Sequence, residues 1–365
     1  ILYHILQTAG ATCGTLGTLG FQTPTGMVST GFTTPESVEL QQMLQTLQLA
    51  GVDNLVMEIS SHALDQHRVD NVEVDIAIFS NLTPEHLDFH GDMENYFKAK
   101  LQLFQTLAVD KTAVINFDDP YAQRICSSIS AKCITYGMNK KADLHPVQAE
   151  FTTNGIKAQL QFREHIISID SLLLGEYNLS NIMAGVAAAL SMGVSISQIE
   201  NAVKNMPPIP GRMELISCDC PGKVFVDYAH SPDAYEKLFS SLSSLTAGQV
   251  KLLTVFGCGG NRDSGKRSEM AKISEKYSAF SFITMDNPRN EDVENINADI
   301  IRGFSGDDFT VIPDRKEAIT TALKKMDENS ILLILGKGQE NYQEIGSVKI
   351  PYSDIEIIRA YSNES

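Results

Sequence analysis

The chain has 365 residues, 43% of them hydrophobic, and a formal net charge of −16. That length suits two domains of roughly 150–200 residues each, and the acidic balance argues against non-specific binding to nucleic acid. Six scattered cysteines without a CxxC pair (Cys13, Cys126, Cys133, Cys218, Cys220, Cys258), no apolar run of membrane-spanning length and no signal-peptide pattern predict reduced thiols in a cytoplasmic protein. Cys218 and Cys220 alone do not make a zinc site.

Ile1 to Gln7 read as part of an amphipathic helix that stops at Gly10. No capping residue or initiator Met precedes it, so a truncated chain is expected. Thr34 is the expected N-cap of the next helix, with Pro35 at its first position. Leu40, Met43, Leu44 and Leu47 form its apolar face, and Gly51 ends it. Short runs apolar on both faces cover 54–58, 74–79, 113–116, 251–256, 280–285 and 331–335. They read as strands buried on both sides, as in parallel sheets. Around 143–175, alternation such as Lys157-Ala158-Gln159-Leu160-Gln161-Phe162 predicts a β-hairpin instead. Met206-Pro207-Pro208-Ile209-Pro210-Gly211 cannot continue a helix, which sets a boundary between domains 1–210 and 211–365. Strand and helix alternate, so the fold class is α/β with parallel sheets. Ligands then collect beyond the carboxyl ends of strands.

The strand tails carry the chemistry. Glu58 ends a run taken as buried, where Mg²⁺ would relieve an unpaired carboxylate; capping the next helix or pairing with Arg68 would do so too. Thr83 to Gly91 holds His86 and His90 among carboxylates and fits metal or phosphate chemistry or a capped helix start. Lys100 lies among Tyr96, Phe97, Leu101 and Phe104, as a snorkelling lysine also would. Gly257-Cys258-Gly259-Gly260-Asn261-Arg262-Asp263 follows a strand and can receive an anion or simply make a tight turn. Arg289 of Asp286-Asn287-Pro288-Arg289 offers a fork for a carboxylate. Glu340, after Gly336-Lys337-Gly338-Gln339, can accept from an ammonium. Together they suit an amino acid, or form a surface ion pair.

In this order these segments resemble the Mur ligase family, on the branch that adds the third residue of the stem peptide. The resemblance rests on Thr33-Thr34-Pro35, MEISSHALDQHRV from Met57, NLTPEHLDFHG from Asn81, KAKLQLF from Lys98, GRME from Gly211, VDYAHSPDA from Val226, FGCGGNRDSGKR from Phe256, DNPR from Asp286 and GKGQENYQ from Gly336. It implies a P-loop-type central ATPase domain followed by a Rossmann-like C-terminal domain. It also implies ATP-dependent amide-bond formation through an acyl phosphate, in a cytoplasmic monomer that binds neither nucleic acid nor membrane. By that resemblance Glu58, His86 and a carbamylated Lys100 hold Mg²⁺. Thr33, Thr34, Ser60, Gln66 and Arg68 bind UDP-MurNAc-L-Ala-D-Glu. Asn181, Arg212, Asp227 and His230 contact ATP, with Arg212 catalytic near the γ-phosphate. Arg262, Asp286, Asn287, Pro288, Arg289, Gly336 and Glu340 hold the amino acid. An Arg in the DNPR segment goes with meso-diaminopimelate, and its absence with L-lysine.

The sequence departs from the family in places. It contains no Gly-x-x-Gly-Lys-Thr/Ser loop, which is expected just before Ile1, so the chain as it stands is expected to be inactive. Gln339 stands where the family usually has His, and Asn261 where it often has Asp. The rival expectations are an L-lysine-adding ligase and a non-catalytic binding protein that lost its phosphate loop. Folylpolyglutamate synthases share the architecture but fit the DNPR and SSHALDQHR segments poorly.

Overall fold

A computed structural model describes residues 1–24, 26–28 and 31–364. The chain forms two units. The first comprises Ile1–Phe151, Gly155–Leu172 and Glu176–Met206; the second comprises Thr152–Asn154, Leu173–Gly175 and Pro207–Ser365.

The first unit holds two sheets. One runs in the order Gly26–Val28, Gly20–Thr23, Cys13–Gly17, Asn54–Met57, with only the last pair parallel. The other runs His165–Ser171, Gly155–Phe162, Leu144–Thr152, Lys132–Tyr136, Thr112–Asn116, Ile76–Phe79. Its last four strands are parallel, and a hairpin joins 155–162 to 165–171. The expected hairpin is thus part of a three-stranded extension, because Leu144–Thr152 precedes it in the same sheet. Helix Glu176–Ser191 buries Leu179, Ile182, Met183 and Val186, as its nearly unbroken apolar sequence requires. Asn54–Met57 and Ile76–Phe79 each end their sheet, and both line one cavity of about 400 Å³.

The expected cap at Thr34 does not form. The helix begins at Ser37 with Glu36 as N-cap and no side-chain bond to it. The Thr34 hydroxyl instead donates to the Glu58 carbonyl and accepts from the Ser60 N–H, both at 3.0 Å. A long-range backbone pairing has taken the group that a local cap would use.

The second unit holds a two-stranded antiparallel sheet, Tyr342–Ile345 with Val348–Pro351, and a six-stranded sheet in the order Glu214–Ile216, Lys223–Asp227, Ser330–Leu335, Lys251–Phe256, Phe280–Ile283, Phe309–Val311. In the six-stranded sheet all neighbours are parallel except the first pair. Side chains alternate between two cores, as a pleated strand demands. Ile331, Leu333 and Leu335 join Tyr235, Phe239, Met270 and Ile300 on one face. Leu332 and Ile334 join Ile319, Leu323 and Ile358 on the other. Burial on both faces explains the uniformly apolar runs. Asp227, Phe256, Ile283 and Leu335 finish parallel strands, and the loops after them carry the polar segments.

Cys218 and Cys220 form a disulfide with their Cα atoms 5.3 Å apart, which corrects the expectation of reduced thiols at this pair. That separation lies within the range a disulfide spans. No helix among the described residues is long and apolar enough to cross a membrane.

Candidate active site

In the first unit, the expected substrate residues share one hydrogen-bonded cluster. Glu58 Oε2 accepts from the Thr18 N–H at 3.0 Å and from the Thr18 hydroxyl at 2.7 Å. That hydroxyl lies 3.1 Å from the Thr33 hydroxyl; its single hydrogen is spent on Glu58, so Thr33 is the donor. Ser60 caps the helix Ser61–Asp65 by accepting from the Ala63 N–H. Arg68 donates to the Thr34 carbonyl at 3.0 Å, to Gln66, and to Glu36 at 2.8 Å. The Glu58 side chain is exposed rather than buried, and its partner is neither a helix end nor Arg68. The burial argument for a cation at Glu58 therefore fails. What remains is a carboxylate with one oxygen engaged, over Gly17, where a Cβ would strike the Glu58 carboxyl carbon at 2.7 Å.

A ring cluster adjoins it. His62 lies 4.9 Å from His86, which lies 6.1 Å from Tyr96 (centroid distances). The Lys100 ammonium sits 5.3 Å from the Tyr96 ring centre. Burial lowers the Lys100 pKa, opposed by Glu85, so its amine is easier to deprotonate than an exposed lysine's. His86 has φ 58° and begins the short helix Leu87–His90, a left-handed conformation that a non-glycine residue adopts at a cost.

His86 and Lys100 thus come together through Tyr96, whereas Glu58 shows no contact with either. The described residues contain no group of three His, Cys, Asp or Glu side chains suited to a metal. Mg²⁺ is commonly held by one or two carboxylates together with substrate phosphates and water. The half-free Glu58 carboxylate fits a site of that kind. Asn181, on helix Glu176–Ser191, bonds Asn178 at 3.3 Å within this unit.

In the second unit, Asp227 gathers the expected nucleotide residues. It is 8% exposed, and its two oxygens accept from the Met213 and Ala229 N–H groups at 2.7 Å each. Burial raises its pKa, while those two bonds pull it back. The result ties the segment bearing Arg212 to the one bearing His230. The Arg212 guanidinium lies 5.2 Å from the Tyr228 ring centre, and the Tyr228 and His230 rings are 4.8 Å apart. Arg212 and His230 are exposed, so an anion and a planar base have access to them.

The expected amino-acid residues meet across two loops. A Cβ on Gly257 would overlap the Thr284 carbonyl, and one on Gly260 the Pro288 carbonyl, so the Gly-rich loop rests backbone to backbone on the DNPR segment. Arg289, at φ 52°, donates to the Gly260 carbonyl at 2.9 Å and pairs through Nε with Glu344 at 2.9 Å. Asn287 donates to Glu340 Oε2 at 2.9 Å and accepts from the Glu344 N–H at 2.9 Å. Arg289 and Glu340 therefore belong to one network. Asp286 is buried, which raises its pKa against the pull of Arg315 and Lys337. A Cβ on Gly336 (φ 108°) would overlap that carboxyl. Pro288 is buried between these loops, and Arg262 is exposed.

Sequence reasoning missed three residues. Thr18 carries no motif and meets Glu58 across 40 positions. Arg267 is 1% exposed and pairs with Glu291 at 2.6 Å and Asp299 at 2.9 Å, holding the Gly-rich loop through Gly259. Lys337, which the sequence shows only as the residue between Gly336 and Gly338, is fully buried. A charged residue between two glycines was the one available signal for it.

The Mur ligase middle-domain model matches residues 1–189, and that of the Mur ligase glutamate ligase domain matches 211–338. The UDP-N-acetylmuramoyl-L-alanyl-D-glutamate--2,6-diaminopimelate ligase of Geobacter metallireducens is 38% identical, over 99% of this chain and 75% of that protein. The ligase of the same name from Xylella fastidiosa is 41% identical, over 98% and 72%. A solved structure bearing the same enzyme name superposes with a TM-score of 0.72 at 33% identity, covering 100% of this chain and 75% of that one. A Mycobacterium tuberculosis folylpolyglutamate synthase shares the fold, with a TM-score of 0.71 at 18% identity over 92% and 84%. With both of its units matched and relatives aligned over nearly its whole length, the chain belongs to the Mur ligase family, the ATP-dependent ligases that form amide bonds.

Proposed function

We propose that this ligase joins meso-2,6-diaminopimelate to the D-Glu γ-carboxylate of UDP-MurNAc-L-Ala-D-Glu in peptidoglycan synthesis. The carrying observation is that Arg289 and Glu340 share one network beyond the strand ends of the second unit. A carboxylate fork and an ammonium acceptor suit a diamino acid with a carboxylate to spare. Arg289 grips that distal carboxylate, Glu340 receives an ammonium, and Arg262, Asp286, Asn287, Pro288 and Gly336 shape the pocket.

The chemistry proceeds in two steps. The γ-carboxylate attacks the γ-phosphorus of ATP, giving an acyl phosphate and ADP. An amino group of diaminopimelate then adds to the acyl carbon, and the tetrahedral intermediate expels phosphate while losing a proton. Thr33, Thr34, Ser60, Gln66 and Arg68 orient the nucleotide-linked dipeptide. Asn181, Arg212, Asp227 and His230 serve ATP, with Arg212 placed to balance phosphate charge. Glu58 and His86, with Lys100 as its carbamate, would hold Mg²⁺, which neutralises phosphate oxygens when bound. The lowered Lys100 pKa supports carbamylation, because only the neutral amine adds CO₂.

The test is ATP-dependent phosphate release by the protein expressed from its intact gene. Meso-diaminopimelate and L-lysine are compared, with Mg²⁺ and bicarbonate present. Preference for meso-diaminopimelate is expected. Arg289→Ala should lower kcat/KM for it by roughly 30-fold or more, since truncating one partner of a buried charge pair costs ~2–5 kcal/mol. Preference for L-lysine would overturn the substrate, and no release with either would overturn the ligase.

A further inference from the structure

Glu340 does not stand alone in the amino-acid network. The Lys337 ammonium, fully buried, donates to Glu340 Oε2 at 2.9 Å and to Asn287 Oδ1 at 3.0 Å. Asn287 in turn donates to the same Glu340 oxygen at 2.9 Å. The three side chains close a triangle, and the Glu340 backbone N–H is turned back onto the Lys337 carbonyl at 2.9 Å. Tyr342 and Tyr352 place their ring centres 5.7 Å and 5.9 Å from the ammonium. A buried ammonium is costly unless it is paired, so this one has a fixed place. It commits Oε2 of Glu340 and leaves Oε1 without a hydrogen bond among the described residues.

We propose that Lys337 is a positioning residue for diamino-acid binding, orienting the Glu340 carboxylate so that Oε1 meets the substrate ammonium. This rests on the reading of Glu340 as the ammonium acceptor. Lys337 does not reach the substrate itself, because its ammonium is fully buried and two of its three donors go to Glu340 and Asn287. Its removal loosens the acceptor and leaves the nucleotide residues untouched. The ammonium also repels an incoming cation. Orientation outweighs that repulsion, since Lys337 and Glu340 together are neutral and an unfixed carboxylate must be ordered at each binding event.

Steady-state kinetics on the protein from its intact gene test this with Lys337→Met, Glu340→Gln and the double variant. Lys337→Met is expected to raise KM for meso-diaminopimelate about tenfold or more, equal to ~1.4 kcal/mol or more, with kcat and KM for ATP within about threefold. In the Glu340→Gln background the same change should cost much less, since a residue acting through another is non-additive with it. Additive losses, or a Lys337→Met effect spread equally over ATP and the nucleotide substrate, would overturn the positioning role while leaving the ligase reading intact. An unchanged KM in Glu340→Gln would overturn the reading beneath it. Should Lys337→Met fail to fold, Lys337→Gln keeps a donor to Glu340 and must show the same selective, smaller rise in KM; wild-type kinetics there would refute the proposal.

Discussion

Arg315 and Asp354 make the most demanding stability test. Both side chains are 0% exposed, and the guanidinium grips the carboxylate through Nε at 2.9 Å and Nη2 at 2.8 Å. Nη2 also donates to the Leu335 carbonyl at 2.9 Å, at the end of the strand that leads into Gly336 and Lys337. Asp354→Ala would strand a buried cation. Breaking a buried pair in this way costs ~3–5 kcal/mol, or roughly two to three and a half powers of ten in the opening equilibrium. Hydrogen exchange read by mass spectrometry resolves the two units without a tryptophan probe, which the sequence lacks. Peptides covering 330–335 and 251–256 should lose protection by that factor, while those covering 112–116 keep theirs. A second variant, Arg315→Met with Asp354→Leu, removes both charges and should recover most of the loss. A fall below ~1 kcal/mol in Asp354→Ala would refute the claim that this pair holds the strand end, because exposed pairs already reach that value.

Other outcomes follow from single contacts. Thr18→Val removes the donor to Glu58 and the acceptor for Thr33; kcat should fall about tenfold or more, with KM for the diamino acid unchanged, as phosphate release would show. Arg267 holds the Glu291 carboxyl at about 2, against an ordinary 4.5. A depressed folded pKa gives stability that is complete above about pH 4.5 and is lost as pH falls through about 2. Acid unfolding of Glu291→Gln, followed by exchange in the 265–277 helix, should therefore be flatter across that window. The Cys126 and Cys133 sulfurs lie 2.9 Å apart, so oxidised glutathione should join them, each thiol losing one hydrogen and two reduced glutathiones being released. Intact mass after alkylation reads this directly, and two free thiols surviving the oxidant would refute it.

Much of the fold is legible because double-sided burial leaves unbroken apolar runs, as at 251–256 and 331–335. The ends of those runs also locate the polar loops, since parallel strands deliver their carboxyl ends to one edge. Local signals fail where a distant group competes for the same atom. Thr34 reads as a cap because hydroxyls cap helices, yet its hydroxyl is claimed by the backbone of Glu58 and Ser60. Thr18 has no local signature, because its function is defined by a partner brought in by strand pairing of Cys13–Gly17 with Asn54–Met57. The Cys218–Cys220 disulfide has no signature in the cysteine spacing, because it depends on the local backbone setting the two Cα atoms 5.3 Å apart.

The two departures from the family pattern are also decided by geometry. Asn261 has φ 54°, its N–H donates to Glu291 Oε2 at 3.0 Å, and its side-chain oxygen accepts from the Asn290 N–H at 3.1 Å. Asn and Asp are the non-glycine residues that best tolerate that backbone, and each supplies the same acceptor. An Asp here would preserve every one of those bonds, so Asn261 costs the Gly-rich loop nothing in shape and removes one negative charge beside Glu291. Gln339 differs in kind. Its backbone lies against Gly211, where a Cβ would overlap its N–H, while its side chain is exposed. The contact that fixes this turn is made by main chain, which any residue provides. The side chain at 339 is therefore free to vary without disturbing the Lys337–Glu340 pair, the two residues proposed, with Arg289, to set selectivity for the diamino acid.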